Sequence, residues 1–207
     1  MIAQDRAKTG ESATTSGRRK RSTRREETGH PFISIVIPTS NRAVMLADTL
    51  ESFAAQSIPT NRYEVVVVDD GSKDATPEVC RDFGSRMQLR YLHIENSGIS
   101  AAKNTGILAS RGRILLFCDD DDIADSHLLE EHLKAHKQHP EENIAVLGYT
   151  TWAPTLSVTP LMHYVTDIRR FLFAYGDLKD GQMLDYYLLL GRALVMQAIV
   201  SCQTRRL

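Results

Sequence analysis

The sequence is poor in cysteine. Its three cysteines, Cys80, Cys118 and Cys202, are an odd and widely spaced set in a chain of 207 residues. A disulfide framework needs paired cysteines and a structural zinc site needs clustered ligands, so we expect neither. A reducing compartment fits this cysteine usage better than an oxidising one.

Apolar runs long enough for export or membrane insertion are also missing. The first residues have no apolar core of the kind that signal peptides carry. The most apolar late stretch, Met183 to Cys202, is interrupted by Asp185 and Arg192, so we expect a packed helix there and no transmembrane segment. The predicted location is cytoplasmic, and a peripheral position at the inner face of the membrane is compatible with it.

Charge is nearly balanced overall but unevenly distributed. The formal net charge of -1 argues against a general nucleic-acid binder, and we expect no nucleic-acid partner. Residues 1–30 are rich in Ser, Thr, Gly and Arg and almost lack large apolar side chains, which predicts a disordered, solvated basic tail. The basic residues of this tail include Arg18, Arg19, Lys20, Arg21, Arg24 and Arg25.

From Pro31 onward, short apolar runs alternate with helical patterns. The runs that predict strands are Ile33–Ile37, Val65–Val68, Leu89–Ile94, Ile114–Cys118 and Ile144–Leu147. The helical patterns are the stripe Leu46, Leu50, Phe53 and Ala54, a start at Thr76-Pro77, Ser100–Ser110 with Gly112 as its stop, and a helix from Ser126 that ends before Pro140. Strands that are apolar on both faces predict an α/β fold, with a mostly parallel sheet covered by helices on both faces.

The fourth predicted strand runs directly into four consecutive carboxylates, Asp119 to Asp122. Four adjacent acids repel one another, and a divalent cation would remove the conflict because hard cations bind carboxylate oxygens. In an extended segment Asp119 and Asp121 would share a face and could hold one ion together. The alternative is a solvated acidic turn in which Asp125 or Ser126 caps the next helix.

Unusual residues follow four of the predicted strands. They are Pro38 to Arg42, Asp69 and Asp70, Asn96 to Gly98, and Asp119 to Asp122. Ligands of parallel α/β sheets bind outside the carboxyl ends of the strands, so these four loops are expected to converge on one site. Helix capping alone does not predict this convergence.

In order and spacing, these loops resemble the nucleotide-sugar half of family 2 glycosyltransferases, which have the Rossmann-like GT-A fold. The matching segments are Ser34 to Arg42, Val65 to Ser72, Asn96 to Gly106 and Ile114 to Asp122. The resemblance implies a nucleotide-sugar-binding half over residues 31–125, followed by a partial acceptor-side region over residues 126–207.

The resemblance also implies roles for individual residues. The expected donor-binding residues are Pro38, Thr39, Asn41, Arg42, Asp69, Asp70, Asn96, Gly98, Lys103, Asn104 and Asp120. Asp70 would accept from the imide of a uracil, and the backbone amides of Asn96 to Gly98 would approach the donor. Asp119 and Asp121 match the family's DxD motif, which holds Mn²⁺ or Mg²⁺ on the diphosphate. Lys103 stands where the family more often has Arg.

The implied function is inverting transfer of a sugar, most simply from a UDP-sugar, to a saccharide or lipid acceptor in polysaccharide biosynthesis. The family's late Glu-Asp motif, which supplies the catalytic base, has no counterpart, and the chain ends where it is expected. Asp167, Asp177, Asp180 and Asp185 are the acids after Gly148 that could substitute, but nothing in their spacing supports one of them, and the base is left unassigned. The alternative is a truncated, catalytically silent nucleotide-sugar-binding module. Self-association through the last helix is expected of the chain in either case.

Other patterns are weaker. A phospho-accepting receiver domain would share the acidic pair after Val68 but not the DxDD run, and a nucleotidyltransferase would need a Gly-rich first loop. His132 and His136 are one helical turn apart and could bridge a metal, but a solvated histidine face is expected instead. Among the late aromatic residues, Trp152 is the candidate for acceptor contact.

Overall fold

The computed structural model describes residues 32–141, 144–168 and 200–203. In chain order the elements are β1 (Ile33–Thr39), α1 (Ala43–Ala54), a 3₁₀ turn (Thr60–Arg62), β2 (Tyr63–Asp70), α2 (Thr76–Gly84), β3 (Leu89–Ile94), α3 (Ile99–Ala109), β4 (Ile114–Phe117), α4 (Leu128–Gln138), β5 (Ala145–Leu147), α5 (Pro160–His163) with a π-helical turn (Tyr164–Ile168), and β6 (Val200–Gln203). The predicted basic tail, residues 1–30, lies outside the described residues.

The strands form one six-stranded sheet in the order β3-β2-β1-β4-β6-β5. β1 pairs in parallel with β2 and β4, and β2 pairs in parallel with β3. β6 lies antiparallel between β4 and β5. The predicted mostly parallel α/β sheet is therefore confirmed.

Val200 to Cys202 lie in β6, so the prediction of a packed helix was wrong for these residues. A short apolar run has no periodicity that separates a buried helix from a strand. Here the deciding factor is pairing, because β4 would otherwise expose unpaired backbone groups along one edge. The rest of that predicted helix, and the self-association predicted through it, lie outside the described residues.

Helices cover both faces of the sheet because successive side chains of a strand point to opposite sides. Ile35 of β1 packs in one buried cluster with Leu50 and Phe53 of α1, a cluster to which α2 and α4 also contribute. Val66 of β2 packs on the other side with Ala102 of α3. This two-sided covering is why β1 and β2 are buried along their whole length.

Gly112 has a different role from the predicted helix stop. α3 already ends at Ala109, and Gly112 does not adopt the positive φ of a typical glycine terminus. A Cβ on Gly112 would lie 2.5 Å from the backbone nitrogen of Ser34, so the residue permits close contact with β1. Its N–H donates to Oγ of Ser34 at 2.8 Å, and that hydroxyl donates to the buried carboxylate of Glu64 at 2.6 Å.

The helix before Pro140 also differs from its prediction. It begins at Leu128, and neither Asp125 nor Ser126 caps it, since His127 occupies the N-cap position. His132 and His136 are only 3% and 4% exposed, so the predicted solvated histidine face was wrong. Both side chains lie on the buried side of α4, because helical residues four positions apart share one face.

None of the helices in the described part of the chain has both the length and the apolar character that a membrane span needs.

Candidate functional site

A cavity of about 290 Å³ opens at the carboxyl ends of β1, β2 and β4. Its lining residues are Pro38, Thr39, Ser40, Arg42, Asp70, Ile99, Ala102, Asp119, Asp120 and Asp121. β1 and β2 extend further than predicted, so Pro38, Thr39, Asp69 and Asp70 are strand residues. The lining therefore includes predicted residues from three separate segments, which are the end of β1 with its loop, the end of β2, and the acidic run after β4. Residues of α3 form one side of the cavity.

Asp120 is the buried member of the acidic run that lines the cavity. It is 4% exposed, accepts from Oγ1 of Thr39 at 2.7 Å and pairs with Nη1 of Arg42 at 2.8 Å. Burial raises the pKa of Asp120, while the hydrogen bond from Thr39 and the charge of Arg42 oppose that rise. Arg42 also reaches Asp121, whose Oδ2 lies 2.7 Å from Nη2.

The acidic run is a turn, not the extended segment from which a shared face was predicted. The N–H of Asp122 donates to the carbonyl of Asp119, and the N–H of Asp119 donates to Oδ2 of Asp122 at 3.1 Å. Burial raises the pKa of Asp122 to about 6. Asp119, unlike Asp122, lines the cavity, and its Oδ1 lies 3.6 Å from Nζ of Lys103. The repulsion among the four acids is thus partly relieved by cations of the chain itself.

Asp70 ties the end of β2 to the start of α3. Its Oδ1 accepts from the N–H of Ser97 at 2.6 Å, and its Oδ2 accepts from the N–H of Gly98 at 2.8 Å. These are two of the amides predicted to approach a ligand, and in the structure they donate to Asp70. Gly98 has a φ of 87°, which a side-chain-bearing residue adopts only with strain.

Asp69 does not reach the cavity. Its carboxylate is fully buried and accepts from the N–H of Ser72 at 2.8 Å and from the hydroxyl of Tyr91 at 2.5 Å. Burial alone would raise the pKa of Asp69, but the hydrogen bonds from Ser72, Tyr91 and His93 outweigh it and lower the pKa. Asp69 and Asp70 are adjacent in a strand, so only one of them can face the cavity.

The loop after β1 is held by the loop after β2. Asn41, at a φ of 54°, accepts at Oδ1 from the N–H of Lys73 at 2.8 Å. Asp74 accepts from the N–H of Ala43, at the first turn of α1, at 2.9 Å and from Oγ1 of Thr76 at 2.6 Å. Sequence reasoning missed Asp74, although an aspartate that accepts from the backbone two residues on is a common turn former, and the N–H of Thr76 donates to its Oδ1 at 3.1 Å.

Several predicted residues lie outside the lining of the cavity. These are Asn41, Asp69, Asn96, Gly98, Lys103 and Asn104. Ser40, Ile99 and Ala102 line it without having been predicted. Ile99 is 59% exposed and adds an apolar side chain to a lining that is otherwise largely charged and polar.

A second cavity of about 300 Å³ lies at the opposite edge of the sheet. Its lining residues are Phe32, Arg62, Arg113, Ile114, Leu133, His136, Lys137 and Pro140. It is similar in size but contains none of the predicted site residues. The carboxyl-end cavity is therefore the candidate site.

The residues of the candidate site fit a divalent cation that is shared with a ligand. Among the described residues, no three His, Cys, Asp or Glu side chains converge as a metal site built from protein alone requires. Mg²⁺, however, commonly takes only one or two carboxylates together with substrate phosphates. Asp119 and Asp121 supply two carboxylates on the wall of one cavity.

Comparisons with known proteins agree with this architecture. The family model of glycosyl transferase family 2 matches residues 34–185. Glycosyltransferase AglE of Haloferax volcanii is 42% identical over 93 residues, which are 44% of this chain and 31% of AglE. Validoxylamine A glucosyltransferase of Streptomyces hygroscopicus subsp. jinggangensis is 38% identical over 108 residues, which are 51% of this chain and 26% of that protein.

Solved structures show the same fold. S. aureus TarS 1-349 in complex with UDP-GlcNAc is 26% identical, with a TM-score of 0.56 over 61% of this chain and 36% of that chain. This chain spans about a third or less of the length of AglE and of validoxylamine A glucosyltransferase. Since the family model covers well over half of this chain, the protein belongs to glycosyl transferase family 2.

Proposed function

We propose that this chain binds a nucleoside diphosphate sugar, specifically a UDP-sugar, in the carboxyl-end cavity and serves its inverting transfer to a saccharide or lipid acceptor. The observation that carries the proposal is the joint lining of one cavity by Asp70, Arg42 and the acidic turn. The likeness to TarS, whose structure contains UDP-GlcNAc, supports the choice of nucleotide. Polysaccharide biosynthesis is the process to which such a transfer belongs.

Asp70 is the proposed partner of the nucleobase. Each of its carboxylate oxygens accepts one backbone N–H and keeps a further acceptor site, because an ionised carboxylate has about four. The two backbone bonds fix the orientation of the carboxylate before a ligand arrives. A uracil imide N–H would then meet an acceptor that is already in place. Asp69 does not contact the proposed ligand but holds the turn after β2, because its Oδ1 accepts from the N–H of Ser72.

The diphosphate is proposed to lie against the acidic turn. Asp119 and Asp121 would hold Mn²⁺ or Mg²⁺ there. Such an ion supplies Lewis-acid stabilisation of the charge on the departing nucleoside diphosphate. Arg42 on this wall, and Lys103 at 3.6 Å from Asp119 outside the lining, offset part of the negative charge that would repel an anionic ligand.

Inverting transfer also needs a general base that takes the proton of the acceptor hydroxyl, and the family resemblance implies a carboxylate in this role. Asp167 lies in the π-helical turn, whereas Asp177, Asp180 and Asp185 lie outside the described residues, and we assign the base to none of them. Acceptor contact by Trp152 also stays a proposal. The competing candidate is a binding module without transferase activity.

Calorimetric titration tests the binding half of the proposal. UDP should bind the wild type more tightly when Mn²⁺ is present. Asp121→Asn should lose at least about tenfold of that affinity, since even changes beside metal ligands cost about 10–100-fold. The matched control is Asp48→Asn, which removes an equally charged, exposed residue on α1. Equal, metal-independent affinity in all three proteins would contradict the proposal.

A product assay then separates a transferase from a binding module. The protein is incubated with a panel of nucleotide-sugars, Mn²⁺ and candidate acceptors, and both free and transferred sugar are measured. Transfer above the rate of hydrolysis supports the enzyme. Nucleotide binding with no transfer to any acceptor supports the module.

A further inference from the structure

Arg42 joins two carboxylates that have very different surroundings. Its Nη1 lies 2.8 Å from Asp120 and its Nη2 lies 2.7 Å from Asp121. The side chain of Asp120 is 6% exposed and is also held by Thr39, whereas the side chain of Asp121 is 37% exposed on the cavity wall. One end of the bridge is therefore anchored in the interior, and the other end lies where a ligand would enter.

The exposed end of the bridge is a carboxylate that the proposed function also requires. A guanidinium and a divalent cation are both attracted to Asp121, and each repels the other at short range. An incoming ion must therefore share Asp121 with Arg42 or displace it. A nucleoside diphosphate changes this balance, because its negative charges attract the ion and Arg42 alike.

We propose that Arg42 is a positioning residue that holds Asp121 on the cavity wall in place of a divalent cation and competes with that cation for it. The ion then binds weakly by itself and more tightly together with the diphosphate. This inference rests on the proposed function, because it assigns Asp121 to the ion. Coupling of this kind is reciprocal, so the ion strengthens nucleotide binding by the same factor by which the nucleotide strengthens ion binding.

A purely structural role for Arg42 gives the opposite expectation. If Arg42 only fastens the loop after β1 to the acidic turn, its removal misplaces Asp121. Affinity for the ion would then fall or stay the same. The affinity for Mn²⁺ in the absence of nucleotide therefore separates the two roles.

The experiment measures free Mn²⁺ by electron paramagnetic resonance in titrations of the wild type, Arg42→Gln and Arg42→Lys, with and without UDP. Without UDP, Arg42→Gln should bind Mn²⁺ about three- to tenfold more tightly, the range that loss of one partly exposed ion pair and one repulsive charge allows. The enhancement of Mn²⁺ binding by UDP should shrink correspondingly. The control is Arg86→Gln, which removes an equally two-pronged ion pair, with Glu51, on a surface remote from the cavity.

Arg42→Lys keeps the inference testable if Arg42→Gln fails to fold. A lysine side chain is shorter than arginine and lacks the two-pronged guanidinium, so Lys should stay with the buried Asp120 and hold Asp121 less firmly. We expect Mn²⁺ to bind this variant about two- to threefold more tightly than it binds the wild type. Unchanged or weaker Mn²⁺ binding in both folded variants would overturn the inference, even where UDP and Mn²⁺ still bind the wild type together. Absence of any UDP binding would instead contradict the proposed function.

Discussion

Replacing Gly106 by alanine should destabilise the protein, although alanine is the better helix former. Gly106 lies in the interior of α3, where the helix crosses β1. A Cβ at this position would lie 2.3 Å from Cγ1 of Val36, whose side chain is fully buried. Val36 is β-branched and fully buried, so its χ1 is stiff and its neighbours leave its methyl groups little room to turn away.

The magnitude follows from two opposing effects. Overpacking of a dense core costs about 1–3 kcal/mol, and an overlap of this depth belongs in the upper half of that range. The gain in helix propensity from Gly to Ala is about 1 kcal/mol. The free energy of unfolding should therefore fall by about 1–2 kcal/mol, which corresponds to a decrease of about 2–8 °C in Tm for a chain of this size.

Gly84→Ala is the matched control. Gly84 is the last residue of α2, and a Cβ there would meet no atom within 4 Å. This variant should gain up to about 1 kcal/mol. In a Val36→Ala background, Gly106→Ala should cost much less than it does in the wild type, because the overlapping methyl is then gone. Urea unfolding measures all five proteins, including the Val36→Ala single variant, and a Gly106→Ala protein as stable as Gly84→Ala would refute the packing of α3 on β1.

Two further predictions concern the site and the acid response. Asp70→Asn should weaken UDP binding by about 1–3 kcal/mol but leave inorganic pyrophosphate binding unchanged. If calorimetry shows an equal loss for both ligands, Asp70 supports the loop and does not bind the nucleobase. Burial, with a smaller contribution from His136, lowers the pKa of His132 to about 4. Because the unfolded chain gains a proton near pH 6.5 and the folded chain does not, the free energy of unfolding should fall by about 3 kcal/mol as pH decreases from about 6.5 to 4. His132→Leu should reduce this dependence of the free energy of unfolding on pH, whereas His127→Leu, at an exposed site, should leave it unchanged. An equal pH dependence of both variants in urea titrations would show that His132 is not the titrating group.

Much of the architecture was predictable because it depends on local sequence. The strand Leu89–Ile94 has the predicted bounds, and α2 begins at the predicted Thr76. β1 and β4 also begin at the predicted Ile33 and Ile114. Several other boundaries shifted by one or a few residues, as for α4, which begins two residues after Ser126. The α/β class follows from apolar runs that alternate with helical patterns, a signal that survives such shifts.

The sequence predicted where the candidate site lies but not which side chains contact one another there. Parallel strands bring their carboxyl ends to one edge, so the convergence of the first loop, Asp70 and the acidic turn followed from the pattern alone. The partners of each carboxylate did not follow from it. Asp120 meets Arg42 from 78 positions away, and no local pattern specifies that bridge.

By itself, then, the sequence determined the alternation of strands and helices, the edge at which the site lies and the family resemblance, because short-range periodicity and loop composition encode all three. Only the tertiary structure decided that Asp70 faces the cavity while Asp69 lies buried behind it, and that His132 is enclosed. It also decided that Val200–Gln203 pairs with β4 as a strand. These outcomes depend on which distant segment covers a side chain or pairs with a backbone edge, and such partners are fixed only when the whole sheet assembles.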